Sequence, residues 1–458
     1  MATHGALVLA AGRGTRMNSR TPKVLHRICG KEMVALVVDA AQQAGLGRVV
    51  VVVPSESQPF HQALSSRVDY AVQCKPLGSG DAVLQARSVV KGLRSIVVLS
   101  GDVPLILPET LAEMKRLHEE REACITILTA KNVNPDGLGR VVRTDSGAIA
   151  AVIEEDQADQ ATASIAEINA GVYCFRGSWL WENLEKLTPS PRGELLLTDL
   201  IEAAAQQGMI IESVSSKCPE ETLGVNNRVQ LAEAEATLRR RLLERWMMSG
   251  VTMPDPSSVY IDSDAEFGED TVLFPNTHVT GASRIGKQCE IGPNSVVRDS
   301  IIGDGCRITS SVVDGSTLEA DVDVGPFSNI RAGCHLGAGV HIGTSVEIKN
   351  SRIGPGTASG HFSYIGDADL GANVNIGAGT VTCNYDGEKK NKTYIGDGAF
   401  IGCDTMLIAP VTIGARSWTG AGAVVTKDVP PDSLAVGVPA KISPRNGDGK
   451  SSVRRKQA

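Results

Sequence analysis

The sequence predicts an α/β doubly wound domain, a long linker helix, and a parallel β-helix of hexapeptide repeats. Three observations lead to this fold class. Strand-like and helix-like segments alternate in the first third, apolar residues then follow helical spacing, and an apolar residue afterwards returns at every sixth position. A chain of 458 residues is also too long for a single core. We therefore expect domains at residues 1–226 and 250–458, joined by a linker helix at 227–249.

The N-terminal domain is predicted from short apolar segments that alternate with helical ones. Strands are expected at residues 6–9, 49–53 and 96–99, and helices at 33–44 and 81–90. The run of valines at 49–53 is typical of a parallel strand that is covered on both faces. In a doubly wound sheet, ligands bind beyond the carboxyl ends of the strands.

A turn rich in glycine follows the first strand, with the sequence LAAGRGTRM at residues 9–17. The main chain of such a turn is suited to cradling phosphates. It is not a Walker motif, and Met17 stands where the third glycine of a dinucleotide fingerprint belongs. Taken alone, the segment fits a plain tight turn equally well. Lys23 supplies a second cation close behind the turn, which favours a phosphate site.

Two further strand ends carry polar residues. Gln73 closes one predicted strand, with Gly78-Ser79-Gly80 just after it. The strand at 96–99 ends in Ser100-Gly101-Asp102. A carboxylate in this position is well placed to hold Mg²⁺. The alternative is that Asp102 caps the helix beginning at Pro108, although six residues separate the two.

The linker helix is predicted from apolar residues at intervals of three and four, namely Leu231, Ala234, Leu238, Leu242 and Trp246. It is interpreted as a rigid spacer, the alternative being a helix that binds a partner.

The second domain is predicted from its period of six. One unbroken run consists of Leu318, Val324, Ile330, Leu336, Ile342 and Ile348, and a second of Ile395, Ile401, Leu407, Ile413, Thr419 and Val425. This period fits neither a helix nor a strand but matches the flat faces of a triangular β-helix. About eight coils with strands roughly 4.8 Å apart give a prism roughly 40 Å tall. The period breaks near 351–364 and 383–393, and the insertion at 384–392 is where a binding loop is expected.

Composition excludes several classes of protein. The net charge of −7 argues against general nucleic-acid binding. No signal peptide or membrane-spanning segment is recognised, so we expect a cytoplasmic protein without a membrane partner. The ten cysteines form no C-x-x-C pair and are expected to be reduced thiols rather than zinc ligands. The basic residues at 450–456 are interpreted as a solubilising tail, with a binding role as the alternative.

The motifs LAAGxGTRM, PK and GDVPL resemble those of sugar-1-phosphate nucleotidyltransferases. With the hexapeptide solenoid, the chain is similar over nearly its whole length to the bacterial bifunctional glucosamine-1-phosphate N-acetyltransferases/N-acetylglucosamine-1-phosphate uridylyltransferases. The resemblance implies a left-handed β-helix and a homotrimer formed through it. It also implies Mg²⁺ as cofactor, with glucosamine-1-phosphate, acetyl-CoA and UTP as substrates. The implied product, UDP-N-acetylglucosamine, serves bacterial envelope synthesis.

The resemblance also implies roles for residues of the first domain. Arg16 and Lys23 are implied as catalytic cations, and Asp102 and Asn226 as magnesium ligands. The implied nucleotide and sugar contacts are Leu9, Ala10, Ala11, Gly12, Lys23, Gln73, Gly78, Ser79, Ser100, Gly101, Asp102, Gly139, Glu154, Asn169 and Asn226. Three positions depart from the family pattern: Ser100 replaces a frequent Tyr, Asp81 replaces a frequent His, and the segment Glu154-Glu155-Asp156 lacks the common Lys.

In the solenoid the resemblance implies His361 as the catalytic base, although spacing alone fits a solvated corner beside Gly360. The implied sugar-phosphate residues are Arg331, Lys349, Tyr364 and Asn375. The implied acetyl-CoA residues are Ala378, Asn384, Tyr385, Cys403, Ala421 and Lys441. Cys403 replaces the more usual Ser, and Gly437 stands where Arg is frequent, so that Lys441 is expected to supply the cation instead.

These residue types suit the two implied reactions. Acetyl transfer needs a free amine, and histidine, with a reference pKa of about 6.5, can accept its proton near neutral pH. Nucleotidyl transfer joins two anions, so cations and a metal must offset their repulsion. One alternative is a monofunctional sugar-phosphate uridylyltransferase whose solenoid serves only oligomerisation. Another is a scaffold protein that has lost one activity.

Overall fold

The structure, a computed structural model, describes residues 4–12, 14–131, 137–190 and 193–445. The chain divides into two compact units, Met1–Leu238 and Arg239–Ala458. The division falls within the helix Arg228–Met248, which occupies most of the predicted linker. The proposed domain limits at 226 and 250 stay a prediction, and the basic tail lies outside the described residues. Within the described ranges, no helix is both long enough and apolar enough to cross a bilayer.

The first unit is built around a mixed sheet with the order β11-β7-β10-β6-β1-β4-β5, to which β8 and β9 add a hairpin. Along this order only β10 runs antiparallel to its neighbours. The strands are β1 His4–Leu9, β2 Arg27–Ile28, β3 Lys31–Glu32, β4 Arg48–Pro54, β5 Asp69–Gln73, β6 Ser95–Ser100, β7 Ile125–Ala130, β8 Arg140–Arg143, β9 Ile149–Ile153, β10 Ile168–Arg176 and β11 Ile211–Ser215. The predicted α/β class is confirmed.

Helices cover the sheet. The helices of this unit are α1 Met33–Gln43, α2 Gln58–Leu64, α3 Ser79–Gln85, α4 Pro108–Glu120, α5 Gln160–Ala163, α6 Gly177–Leu184 and α7 Asp199–Gln206, and α8 Arg228–Met248 spans the boundary between the two units. Apolar clusters on the two faces bury every valine of β4, which explains its unbroken β-branched sequence. The helix predicted at 81–90 ends at Gln85, because the chain tightens into i+3 turns from Ala86 onward. The carboxyl ends of β1, β5 and β6 lie on one edge of the sheet.

The second unit is a β-helix of three sheets, each forming one face of the prism. Their strands pair in parallel, except that Lys441–Pro444 runs antiparallel to Ser433–Val436 at the end of one face. Face 1 comprises Tyr260–Ile261, His278–Thr280, Val296–Arg298, Val312–Asp314, Asn329–Ile330, Val346–Lys349, Ser363–Gly366, Val381–Cys383, Met406–Ile408 and Val424–Val425. Face 2 comprises Glu266–Phe267, Arg284–Ile285, Ile301–Ile302, Thr317–Leu318, His335–Leu336, Arg352–Ile353, Ala368–Leu370, Thr393–Ile395 and Val411–Ile413. Face 3 comprises Val272–Leu273, Glu290–Ile291, Arg307–Ile308, Asp323–Val324, His341–Ile342, Ala358–Ser359, Asn375–Ile376, Phe400–Ile401, Trp418–Thr419, Ser433–Val436 and Lys441–Pro444.

The hexad residues fill the interior of the prism. All twelve residues of the two predicted runs are buried. Thr419, the one polar member, accepts a hydrogen bond from Gly402 N and lies 2.9 Å from the Thr405 hydroxyl, so its buried oxygen is paired. The solenoid begins earlier than the two runs suggest, because Ile261, Phe267, Leu273 and Val279 already hold the six-residue period. Face 1 therefore has ten strands rather than about eight coils.

Candidate functional sites

The turn after β1 is shaped by close contact with the segment that carries Lys23. Gly14 has a φ of 58°, and a Cβ there would lie 2.4 Å from Lys23 Cβ. Gly101 N donates to Leu9 O, and a Cβ on Gly101 would lie 3.0 Å from that oxygen. Glycine at both positions therefore lets the ends of β1 and β6 approach Lys23 and each other closely.

Five polar side chains meet at this edge of the sheet. The ammonium of Lys23 forms an ion pair with Asp102 and donates to Asn226 Oδ1 at 2.9 Å. Arg16 Nη2 donates to the same Asn226 oxygen at 2.9 Å, and Ser100 Oγ donates to Asp102 Oδ1 at 2.5 Å. The structure thus brings together the predicted cations and the predicted metal ligands.

Asn226 is positioned by the main chain. Val225 N donates to Asp102 O at 2.8 Å, and Asn226 N donates to the Gln230 side chain at 2.8 Å. These bonds fix the segment before α8 against the end of β6.

The oxygens of Asp102 and Asn226 suit a hard divalent cation. Both already face one cationic atom, Lys23 Nζ. Elsewhere in the described part of the chain, no group of three or more His, Cys, Asp or Glu side chains converges as a metal site would. Mg²⁺ commonly binds through one or two protein oxygens together with substrate phosphates. The donor set therefore fits Mg²⁺ held jointly with a nucleotide.

A cavity of about 460 Å³ opens beside this cluster. Its lining includes these predicted residues: Leu9, Ala10, Ala11, Gly12, Lys23, Gln73, Gly78, Ser79, Ser100 and Asp102. A different cavity of about 390 Å³, near Arg94 and His118, contains none of the predicted residues. The volume of the first cavity is in the range of small-molecule sites.

The predicted sugar contacts form a neighbouring group. Asn169 N donates to Gly139 O at 2.9 Å, and a Cβ on Gly139 would lie 3.5 Å from Glu154 Oε2. Glu154 accepts from the Thr198 hydroxyl at 3.1 Å. Burial raises the pKa of Glu154, and the Thr198 hydrogen bond opposes part of that increase.

The sugar group is tied to the cavity through the segment that contains Thr198. Leu197 N donates to Ser79 Oγ at 3.1 Å, next to the Thr198–Glu154 hydrogen bond. One short segment thus contacts both the cavity wall and Glu154.

In the solenoid, four predicted residues lie on one corner of the prism. His361, Ala378, Cys403 and Ala421 each lie between a strand of face 3 and the next strand of face 1. Main-chain bonds stack these corners: Gly379 N to Phe362 O, Asp404 N to Ala378 O, and Gly422 N to Cys403 O. His361 and Cys403 are both exposed. The four residues form a column that we call the corner column.

Cations gather along the opposite edge of face 1. Arg331 Nη1 donates to Glu347 Oε1 at 2.8 Å, and Lys349 ends a neighbouring strand. The Lys390 ammonium beside Lys349 lowers the pKa of Lys349. Two adjacent ammonium groups at an exposed edge repel each other and favour the binding of an anion there.

Tyr364 lies on face 1 between the two edges. Its hydroxyl would be 2.4 Å from a Cβ on Gly366, so glycine there leaves room for the phenol. Asn375 is exposed on the adjacent face 3.

The inserted loop is ordered by its own hydrogen bonds. Asp386 accepts from Glu388 N, Lys389 N and the Asn391 side chain at 2.8–2.9 Å, which lowers the pKa of Asp386 to about 2. Asn384 Nδ2 donates to Asp367 Oδ2 at 2.6 Å at the base of the loop. Tyr385 is exposed.

Lys441 begins the second strand of a short antiparallel pair, Ser433–Val436 and Lys441–Pro444. Lys441 pairs with Val436, whose side chain would contact a Cβ on Gly420 at 2.7 Å. The strand that carries Lys441 therefore lies near Gly420, the residue before Ala421 in the corner column.

Sequence reasoning missed Lys390 and Asp367. Lys390 reaches Lys349 because the insertion folds back onto face 1, and Asp367 accepts a hydrogen bond from Asn384 at the base of the insertion. The lysine-rich composition of the insertion was the available signal.

Both units match families of known proteins. A family described as "MobA-like NTP transferase domain" matches residues 6–206, and one described as "Hexapeptide repeat of succinyl-transferase" matches residues 392–427. Among solved structures, one of UDP-glucose pyrophosphorylase complexed with UDP-glucose covers 52% of this chain and 99% of its own, at 19% identity and a TM-score of 0.43. That likeness is too low to bear on function.

The fold and the two family matches together define a two-domain transferase, with a nucleotidyltransferase domain followed by a hexapeptide-repeat domain. A protein of Heliobacterium modesticaldum named "Bifunctional protein GlmU" is 46% identical over 94% of this chain and 94% of its own. Proteins with the same name from Halalkalibacterium halodurans and a Geobacillus species are 43% and 42% identical, over 95% and 98% of this chain and 96% and 98% of their own. The chain belongs to the family of bifunctional GlmU proteins, and the family predicted from the sequence is confirmed.

Proposed function

We propose that this bifunctional enzyme makes UDP-N-acetylglucosamine in two reactions at two sites. It first acetylates glucosamine-1-phosphate with acetyl-CoA, and then transfers UMP from UTP to N-acetylglucosamine-1-phosphate. The observation that carries the proposal is the presence, in one chain, of two unlike polar constellations. One consists of Lys23, Arg16, Asp102 and Asn226, which are linked by hydrogen bonds. The other consists of the corner column on one edge of face 1 and the cations on its opposite edge.

In uridylyl transfer, a phosphate oxygen of the sugar phosphate attacks the α-phosphorus of UTP. A new P–O bond forms, the bond to the bridging oxygen breaks, and pyrophosphate leaves. Lys23 and Arg16 neutralise charge on the phosphates, and their present partners show that both side chains reach the same point. Mg²⁺ bound by Asp102 and Asn226 would supply Lewis-acid stabilisation of phosphate charge.

The walls of the same site orient the two substrates. The glycine-rich turn from Leu9 to Gly12 lies under the phosphates, and Gln73, Gly78 and Ser79 contact the base. Gly101 and Ser100 hold Asp102 in place. Gly139, Glu154 and Asn169 bind the sugar, for which the half-buried Glu154 offers an acceptor to a hydroxyl group.

In acetyl transfer, the amine of glucosamine-1-phosphate attacks the thioester carbonyl of acetyl-CoA. A C–N bond forms while His361 takes the proton from the amine, the C–S bond then breaks, and His361 returns the proton so that CoA leaves as the thiol. Arg331, Lys349 and Lys390 bind the sugar phosphate by charge-assisted hydrogen bonds. Tyr364 and Asn375 contact the sugar.

We place acetyl-CoA along the corner column. Ala378, Cys403 and Ala421 have small side chains, which leave the corner open to a long ligand. Lys441 offers a cation to the CoA phosphates, and Asn384 and Tyr385 border the acetyl end from the inserted loop.

We further propose a homotrimer formed through the solenoid. One flat face offers only a shallow surface, whereas a ligand of this length needs a cleft. Three prisms around a threefold axis form such clefts and close the assembly. Sedimentation should show a trimer. Mixing inactive His361→Ala chains with inactive Ala421→Trp chains should restore part of the acetyl transfer if neighbouring chains share the site.

We further propose a cytoplasmic enzyme without a nucleic-acid or membrane partner. The net charge of −7 argues against general nucleic-acid binding, and the scattered cysteines are typical of a reducing compartment. Separate assays of CoA release and pyrophosphate release test the function directly. The proposal predicts both in wild-type protein. Pyrophosphate release without CoA release would instead favour a monofunctional uridylyltransferase whose solenoid only oligomerises.

A further inference from the structure

The side-chain amide of Gln73 is held by a buried carboxylate. Gln73 Nε2 donates to Asp81 Oδ2 at 2.7 Å and to Gly78 O at 3.1 Å, which uses both of its hydrogens. Asp81 Oδ1 accepts a further bond from Gln85 Nε2 at 3.0 Å. Both Gln73 and Asp81 are buried, so the network is shielded from competing water.

These partners fix which end of the amide faces the cavity. A carboxylate at neutral pH only accepts hydrogen bonds, and so does a main-chain carbonyl. Turning the Gln73 amide over would set its oxygen against both acceptors and lose the charge-assisted bond. Gln73 therefore presents Oε1, rather than Nε2, toward the cavity that it lines.

The Oε1 atom is available to a ligand. In the part of the chain that the structure describes, it has no hydrogen-bond partner, and it is not among the fully buried unpaired atoms. The neighbouring Gly78 N–H also has no partner within the described ranges. Together they present one acceptor and one donor at the same wall.

We propose that Asp81 is a positioning residue that sets the choice of base by locking Gln73 with its acceptor outward. An outward acceptor complements the N3–H of uracil, and the Gly78 N–H complements the adjacent carbonyl. Cytosine has an unprotonated N3 and an amino group at these positions. Its N3 acceptor would face the Gln73 Oε1 acceptor, and its amino donor would face the Gly78 N–H donor. The inference deepens the proposed uridylyl transfer and depends on it.

The test measures kcat/KM for pyrophosphate release from UTP and from CTP, with N-acetylglucosamine-1-phosphate and full-length enzyme. Asp81→Leu removes the acceptor. Asp81→Asn is isosteric, so it retains the fold if Asp81→Leu does not, and its amide can also donate to Gln73. In Asp81→Leu the UTP/CTP ratio should fall about tenfold, the effect expected for one charge-assisted hydrogen bond. In Asp81→Asn it should fall by a smaller factor, because the amide oxygen can still accept from Gln73. The matched control is Gln85→Leu, which removes the other partner of Asp81 and should keep the wild-type ratio.

A purely structural role for Asp81 would lower both rates equally and leave the ratio unchanged, and that result would overturn the inference. A fall in the ratio for Gln85→Leu as large as for Asp81→Asn would overturn it as well. Failure of the underlying function is distinguishable, because wild-type protein would then release no pyrophosphate from either nucleotide.

Discussion

Replacement of Gly14 by alanine should disable uridylyl transfer by displacing Lys23. The new Cβ would lie 2.4 Å from Lys23 Cβ, whereas ordinary contact begins at 3.4 Å, so the two must separate by 1.0 Å. A displacement of about 1 Å in a positioning group lowers a rate by on the order of 10²-fold. The left-handed conformation of Gly14 adds strain of about 1–2 kcal/mol for alanine.

Gly45→Ala is the matched control. Gly45 has a φ of 73°, but a Cβ there meets nothing within 4 Å. It should lose about 1–2 kcal/mol of unfolding free energy and keep its activity. Pyrophosphate release and CoA release would be measured for both variants, with denaturant unfolding in parallel. If Gly14→Ala and Gly45→Ala release pyrophosphate at equal rates, the reasoning about Lys23 is wrong.

Two further predictions concern electrostatics. Burial raises the pKa of Glu154, so the folded state holds its proton to higher pH than the unfolded state, and its ionisation destabilises the fold as pH rises. Relative to Glu154→Gln, the wild-type free energy of unfolding should therefore fall between acid and neutral pH, and a difference that is constant with pH would contradict this. Lys390→Ala should lower kcat/KM for acetyl transfer about 10–100-fold through loss of one charged hydrogen bond to phosphate. Lys389→Ala is its control, and equal effects of the two variants would refute the role of Lys390.

Much of the fold could be predicted because local patterns determine it. The hexad residues repeat without a slip, and each is buried where the period places it. The earlier start of the solenoid could also have been found, since Ile261 and Phe267 belong to the same register. The premature end of α3 could not, because the residues after Gln85 keep helical spacing while their main chain adopts tighter turns.

The site was predictable where its residues follow strand ends. Lys23 and Asn226 are 203 residues apart, and only the folded chain shows that they share a hydrogen bond. Lys390 was missed because its neighbourhood depends on how an irregular insertion folds back. The orientation of Gln73 depends on Asp81, at a position that departs from the family pattern, so neither motif nor resemblance could supply it. The roles of these residues stay predictions until the variants are assayed.

The central claim is that one chain carries two independent catalytic sites. It is tested most directly by measuring both CoA release and pyrophosphate release in His361→Ala and in Asp102→Ala. We predict that His361→Ala loses acetyl transfer by roughly 10²–10⁴-fold and keeps uridylyl transfer. Asp102→Ala should show the converse, with its remaining uridylyl transfer no longer responding to added Mg²⁺. Loss of both activities in either folded variant, or wild-type CoA release in His361→Ala, would contradict the account.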